Sequence, residues 1–142
     1  DDNQFQQTLR AKYRDQALKI FLAPNSALGM GHSLANTIKE AGNWDGVFVF
    51  LADMPNICGS AILSLTTALQ DDNIVIPMHD GRRGHPVGFG RKFFDQLSVL
   101  EGDVGAKAVL INSANKVLEV YVQDPGVLQD IDQPEDLERK PS

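Results

Sequence analysis

An aspartate stands at the end of the most apolar run in the chain. Val47-Phe48-Val49-Phe50-Leu51-Ala52 carries no charge, and the first charged side chain after it is Asp53, followed by Met54-Pro55. If that run is a strand, Asp53 leaves the sheet at a carboxyl edge, where open α/β sheets bind ligands. A carboxylate there can hold Mg²⁺, which prefers oxygen ligands and commonly bridges protein carboxylates to substrate phosphates. The plainer alternative is a turn shaped by Pro55. Two further acids, Asp130 and Asp132, flank the apolar Ile131 and can point the same way. Their plainer alternative is a polar loop before a helix that opens on Pro134-Glu135-Asp136, where Pro suits the first position and acids suit the positive dipole end.

Two other segments carry residues suited to an anionic ligand. Gly81-Arg82-Arg83-Gly84-His85-Pro86 is the one strongly cationic cluster of an acidic chain. Arg clamps phosphate bidentately, and a turn flanked by glycines can present it, although a solvated turn tip reads the same way. Gly29-Met30-Gly31-His32-Ser33 joins a strand end to a helix start. Glycines there allow close backbone approach, and the free N–H groups of a first helical turn favour anions or polar ligand edges. Ser33 could instead be an ordinary N-cap. Zinc is disfavoured because Cys58, His79 and His85 lack any paired-ligand spacing, and a serine hydrolase is disfavoured because no G-x-S-x-G elbow occurs.

These residues need a scaffold, and the pattern supplies one. Lys19 to Ala23, Val47 to Ala52, Ile74 to Ile76, Pro86 to Phe89 and Val117 to Val122 read as strands, with Pro77 ending the third. Phe5 to Asp15, Ser33 to Ala41, Ser60 to Leu69, Arg91 to Leu97, Val104 to Leu110 and Pro134 to Arg139 read as helices. In the third of these helices Ile62, Leu65 and Leu69 are expected to face inward, with Ser60 as a cap. The run at 47–52 is continuously apolar, as in a strand buried on both faces of a parallel sheet. Strands alternating with helices of this length predict βαβ units, right-handed crossovers and helices on both faces of the sheet. One domain, 1–142, is the simplest organisation.

Composition narrows the function. The 142 residues include 42% apolar and 23% charged side chains, with a net charge of −6. That balance argues against a nucleic-acid surface, which needs clustered Lys and Arg. No apolar run is long enough to span a membrane, and the opening Asp1-Asp2-Asn3-Gln4 shows no signal-peptide pattern. The single Cys58 permits no internal disulfide and suits a reducing compartment, so a cytoplasmic location is expected.

Taken in order, the segments resemble the MobA-like nucleotidyltransferases, most closely the molybdenum cofactor cytidylyltransferase branch. The resemblance rests on Gly29 to Leu34, Leu51 to Pro55, Gly81 to Val87, Gly102-Asp103-Val104-Gly105-Ala106, Asp124 to Leu128, and Asp130 to Leu137. It implies a three-layer, Rossmann-like α/β fold with a mostly parallel sheet. It also implies transfer of a nucleoside monophosphate from an NTP, CTP for the closest branch, to Mo-molybdopterin, with release of pyrophosphate. By that analogy Asp53 is the main Mg²⁺ ligand, Asp132 the second, and Asp130 lies near it. Gly29, Gly31 and Ser33 would line the nucleotide's sugar and base, and Arg82 and His85 would face the acceptor. A molybdoenzyme or a second copy of the chain is a further partner the reading allows.

The family opens on a strand and a loop of the form L-x-A-G-x-S-x-R-x-G-x-x-K, and no such run occurs here. Thr37 and Gln133 also depart from the branch, which favours Gly and Thr there. The missing loop gives the expectation of a truncated or incompletely represented enzyme whose first βαβ unit is absent. Two alternatives stand beside the main reading. One is a relative using GTP or a sugar- or alcohol-phosphate acceptor. The other is a non-catalytic remnant of the fold that binds a cofactor or a partner.

Overall fold

The sheet is built around one strand. β2 (Ile74–His79) buries five of its six residues, which requires cover on both faces and partners along both edges. In the computed structural model, which describes residues 2–12, 23–24 and 26–133, it has both. β5 (Val117–Tyr121) pairs with β2 in parallel, Ile74 facing Val117 and Met78 facing Tyr121. On the other edge β3 (Arg82–Arg83) and β4 (Val87–Gly90) pair with β2 antiparallel, and β1 (Gly46–Val49) pairs antiparallel with the outer side of β4. The sheet is therefore mixed. β1, β2 and β5 all run in one direction, so their carboxyl ends share one edge, while β3 and β4 return between them.

Side-chain alternation along the strands separates two cores. Ile74, Ile76, Val87 and Phe89, with Val47, Val49 and Val117 beside them, face Ile38 of α2 (Met30–Lys39), Leu97 of α4 (Phe94–Ser98) and Val109 of α5 (Lys107–Asn112). Val120 and Val122 have the opposite parity to Val117 and pack with Ala61 of α3 (Gly59–Ala68) and with Val127. Helices thus cover both faces, which is the three-layer α/β arrangement predicted from sequence. A further helix, α1 (Asp2–Lys12), precedes these elements. No helix among the described residues is long and apolar enough to cross a membrane.

Several boundaries differ from the sequence expectation, each for a local reason. Pro77 does not end β2. Its carbonyl accepts the Gly84 N–H at 2.9 Å, so its ring nitrogen faces the same edge, between the last pair with β4 and the first with β3. A missing N–H there breaks no ladder bond. α2 begins at Met30, so Ser33 lies inside the helix and Gly29 occupies the N-cap position. α3 turns Ala61 and Leu65 inward, leaving Ile62 and Leu69 half-buried, and Cys58 rather than Ser60 sits at its N-cap. α5 starts at Lys107 because Gly102–Val104 forms a 3-10 turn that ends at Gly105, where φ is 54°. The strand expected at 19–22, the end of the first helix at 13–15 and the helix expected at 134–139 lie outside the described residues.

Phe89 is fully buried and stands opposite Ile74 in the antiparallel register. Truncation to Ala at such a site removes both transfer free energy and packing, typically about 3–5 kcal/mol. Phe89→Ala is therefore expected to lower unfolding free energy by that amount in urea titrations, with the chain losing most of its stability margin.

Candidate active site

The chain leaving β1 turns at Ala52-Asp53, where Met54 donates its N–H to the Leu51 carbonyl at 3.3 Å. Asp53 is exposed at the carboxyl edge of the sheet, as the sequence predicts. The chain leaving β5 reaches the same edge. Val122 extends the parallel ladder through a 3.0 Å bond to the Met78 carbonyl, and Pro125–Leu128 then forms a 3-10 turn. Beyond that turn Ile131 donates its N–H to the carbonyl of Asp53 at 2.8 Å. This one backbone bond brings Asp130 and Asp132, which flank Ile131, to the residue that carries the first carboxylate.

The cationic segment arrives from the third side. Asp80, with φ 48°, and Gly81, with φ 72°, form a two-residue turn between β2 and β3. Positive φ at both central positions is the hairpin geometry that Asp-Gly favours. The sequence reading placed the turn at Gly81 to Gly84; the structure puts it one residue earlier and makes Arg82–Arg83 a strand. The return arm then takes five steps, from Arg83 to Gly88, where β2 takes only three, from Met78 to Val75. The surplus bulges out at residues 84–86. Bulges of this kind re-aim side chains near functional sites. Here His85 turns its N–H away from β2 to the carbonyl of Val127, 2.8 Å away. Gly84 is required beside it, since a Cβ at that position would collide with the same carbonyl.

A cleft of about 280 Å³ opens where these segments meet, lined by Leu51 and Met54, by Arg82 to His85, and by Val127, Leu128 and Asp130. Its charges are divided. Asp53, Asp130 and Asp132 are exposed, as is Arg82, for which no ion pair is formed among the described residues. Arg83 is committed elsewhere, with Nη2 2.7 Å and Nε 2.8 Å from Oε1 of Glu119. His85 is half-buried, and its Nδ1 is fully buried with no hydrogen-bond partner. Burial lowers its pKa below the ordinary 6.5, while the nearby charge of Asp53 pushes the other way. Burial thus favours the neutral imidazole.

Gly29, Gly31 and Ser33 are not among the residues that line this cleft. Gly29 packs directly on the backbone of Gly102, and a Cβ on Gly31 would lie 2.8 Å from the carbonyls of Glu101 and Gly102. The close approach that these glycines permit is thus made to the chain's own 101–103 segment. Ser33 accepts the Thr37 hydroxyl at its carbonyl, a bond of 2.9 Å within α2.

Sequence reasoning missed Asp124. Its side chain is 3% exposed, with Oδ2 2.7 Å from the Cys58 N–H and Oδ1 2.9 Å from the Gly126 N–H. Asp-Pro at 124–125 is a turn-initiating pair whose carboxylate bonds the backbone two residues on, so the local half of this arrangement was legible. The bond to Cys58 was not, because the partner is 66 residues away. The carboxylate of Asp124 also raises the pKa of the Cys58 thiol.

The geometry has a measurable electrostatic consequence. A histidine whose pKa is lowered on folding binds fewer protons in the native than in the unfolded state. Stability is then complete above pH 6.5 and falls as pH drops through the folded midpoint. NMR titration of the His85 ring should give a midpoint below 6.5, and Asp53→Asn, by removing the opposing charge, should lower it further. An unchanged midpoint in that variant would mean that Asp53 and His85 do not share a site.

Comparison with known proteins follows the same lines. The MobA-like NTP transferase domain family matches residues 3–117, which takes in Asp53, Arg82 and His85 and stops short of Asp124 to Asp132. No curated protein sequence matches the chain. Among solved structures, the homologue of Mycobacterium tuberculosis Rv0371c from Mycobacterium sp. strain JC1 is 27% identical, with a TM-score of 0.64 over 75% of this chain and 54% of that one. The manganese complex of Mycobacterium tuberculosis Rv0371c itself is 23% identical, with a TM-score of 0.58 over 75% of this chain and 57% of that one. A nucleotidyl transferase from Methanothermobacter thermautotroptrophicus is 14% identical, with a TM-score of 0.73 over 93% of this chain and 65% of that one, a likeness of fold. The chain thus spans between 54% and 65% of the length of these structures. With four-fifths of its residues inside the matched range, the chain belongs to the family of MobA-like NTP transferase domains.

Proposed function

We propose that this domain takes part in transferring a nucleoside monophosphate from an NTP, CTP in the first instance, to a phosphorylated acceptor of the molybdopterin kind, with release of pyrophosphate. The observation that carries the reading is the 2.8 Å bond from Ile131 to Asp53, which brings the segment bearing Asp130 and Asp132 to Asp53 beside a cleft that Asp130, Arg82 and His85 line. Family membership supports the NTP as donor. The choice of CTP and of the acceptor rests on the motif resemblance to the cytidylyltransferase branch.

The donor set suits a hard divalent cation. Asp53, Asp130 and Asp132 offer only oxygen, and among the described residues no three acids, histidines or cysteines stand close enough to hold a metal ion by themselves, so substrate oxygens would have to complete the shell. Mg²⁺ commonly takes one or two carboxylates and completes its shell with water and substrate phosphate oxygens. Asp53 and Asp132 would hold the ion, with Asp130 beside them. Manganese, which accepts the same ligands, is named in the Rv0371c complex. When bound, the ion would neutralise charge on the triphosphate and on the departing pyrophosphate.

The protein's own residues then have defined tasks. A phosphate oxygen of the acceptor bonds to the α-phosphorus, the bond from that phosphorus to the bridging oxygen breaks, and pyrophosphate leaves with the electron pair. The attacking oxygen is already ionised, so no strong base is required. What the site must supply is geometry and charge compensation for two polyanions. Arg82 would clamp the acceptor phosphate and neutral His85 would donate a hydrogen bond to it.

Calorimetry with CTP and GTP, with and without Mg²⁺, tests the reading on the native chain and on Asp53→Ala. Mg²⁺-dependent CTP binding should weaken at least tenfold in the variant, about 1.4 kcal/mol. Tighter binding of GTP would move the assignment to another branch. Binding of neither nucleotide by the folded chain would favour a non-catalytic role.

A further inference from the structure

A helix N-terminus is ordinarily capped by its own neighbouring Ser, Thr, Asp or Asn. α3 is not. Cys58 occupies the cap position without a side-chain cap bond, and its N–H is taken instead by the buried carboxylate of Asp124. The same carboxylate accepts the Gly126 N–H, so one charged group holds two segments that are far apart in sequence. Its position at the positive end of α3 offsets the cost of burying it.

The chain between these anchors is tightly registered. The Gly126 backbone rests on the carbonyl of Asn56, leaving no room for a Cβ. The Asn56 amide donates to Oε1 of Gln129 at 3.2 Å. Val127 receives the His85 N–H, and Ile131 reaches Asp53. Asp124 is thus the first of a series of contacts that lays residues 124–131 along the turn after β1, and Asp130 and Asp132 are carried at the far end of that series.

We propose that Asp124 is the positioning residue of the cation–nucleotide site: by joining the N-terminus of α3 to the 124–131 segment, it sets the placement of Asp132 relative to Asp53. It touches neither metal nor substrate and acts through the backbone. The inference rests on the reading of Asp53 and Asp132 as the cation ligands. A cap made locally at residue 58 would stabilise α3 equally well but would not tie α3 to the start of the 124–131 segment, and that difference separates positioning from simple capping.

The test compares the native chain with Asp124→Asn and with the double variant Cys58→Ser, Asp124→Asn, in which a local serine caps α3 again. Mn²⁺ affinity in the presence of CTP is read by electron paramagnetic resonance, and protection of the Ile131 amide by hydrogen exchange. Asp124→Asn should lose at least tenfold in Mn²⁺ affinity and expose the Ile131 amide, while amides of β2 stay protected. The double variant should recover thermal stability without recovering affinity or Ile131 protection. Affinity that returns with stability would reduce Asp124 to a cap and overturn the proposal. Should the single variant fail to fold, the double variant decides alone. Absence of Mn²⁺ binding by the native chain would defeat the cation-site reading instead, and Ile131 protection would then judge Asp124 by itself, an unchanged rate overturning it.

Discussion

The bond between the Ile131 N–H and the Asp53 carbonyl makes a site from two parts of the sequence separated by most of the sheet. A single backbone hydrogen bond contributes only about 1 kcal/mol net, so it cannot hold the segment by itself. Its persistence depends on the contacts upstream of it, from the buried Asp124 carboxylate through the Gly126–Asn56 stack to Gln129. The hydrogen bonds among these satisfy backbone or amide groups that would otherwise be left unpaired at the carboxyl edge. Polar satisfaction, together with the burial of Val127 against Ala61 and Val122, fixes the course of this segment.

The bulge at residues 84–86 is the complementary device. A regular return arm would have continued the antiparallel ladder along β2 and kept His85 in register with it. The two surplus steps release His85 from the ladder, and Val127 receives the N–H that β2 does not. The 124–131 segment therefore organises both walls of the cleft, carrying acids toward Asp53 and accepting the backbone of the cationic segment. One loop, placed by one buried carboxylate, sets the distance between the two kinds of charge.

Apolar pattern made the scaffold legible, because burial on a strand or helix leaves a period in the sequence. β2, β5 and α3 could be read from Ile74 to Ile76, Val117 to Val122 and the apolar positions after Ser60. The pattern failed where the edge of a strand, not its face, decided the outcome. Pro77 stays in β2 because its missing N–H points at a gap between β3 and β4, and no local feature of the sequence reports that gap. Asp53 was singled out as the first charge after an apolar run, and Arg82 and His85 as members of the cationic cluster at 81–86. Asp124 was not, because its partner at Cys58 becomes a neighbour only once α3 has packed on β5. The Asp80-Gly81 turn was legible in principle, since Asp-Gly between two strands is the strongest short hairpin signal, and the neighbouring arginines drew the turn one residue too far.

The distribution of charge explains how an acidic chain can suit a polyanionic substrate. A net charge of −6 repels phosphate at long range, but exposed charges farther apart than about 10 Å are largely screened at ordinary salt. What a bound phosphate meets is local. Arg83 is paired with Glu119, a partly exposed pair of small energetic value that leaves its guanidinium less free for a ligand. Arg82, next along the strand, points its charge to the other side of β3 because successive side chains alternate, and it forms no competing pair among the described residues. His85, whose pKa burial lowers, can offer a directional hydrogen bond beside it. The acids on the opposite wall would repel a bare triphosphate and welcome one that arrives with a divalent cation. On the proposed function, that arrangement would make the cation a condition of binding rather than an accessory, and it would tie nucleotide affinity to how well the 124–131 segment holds its carboxylates in place.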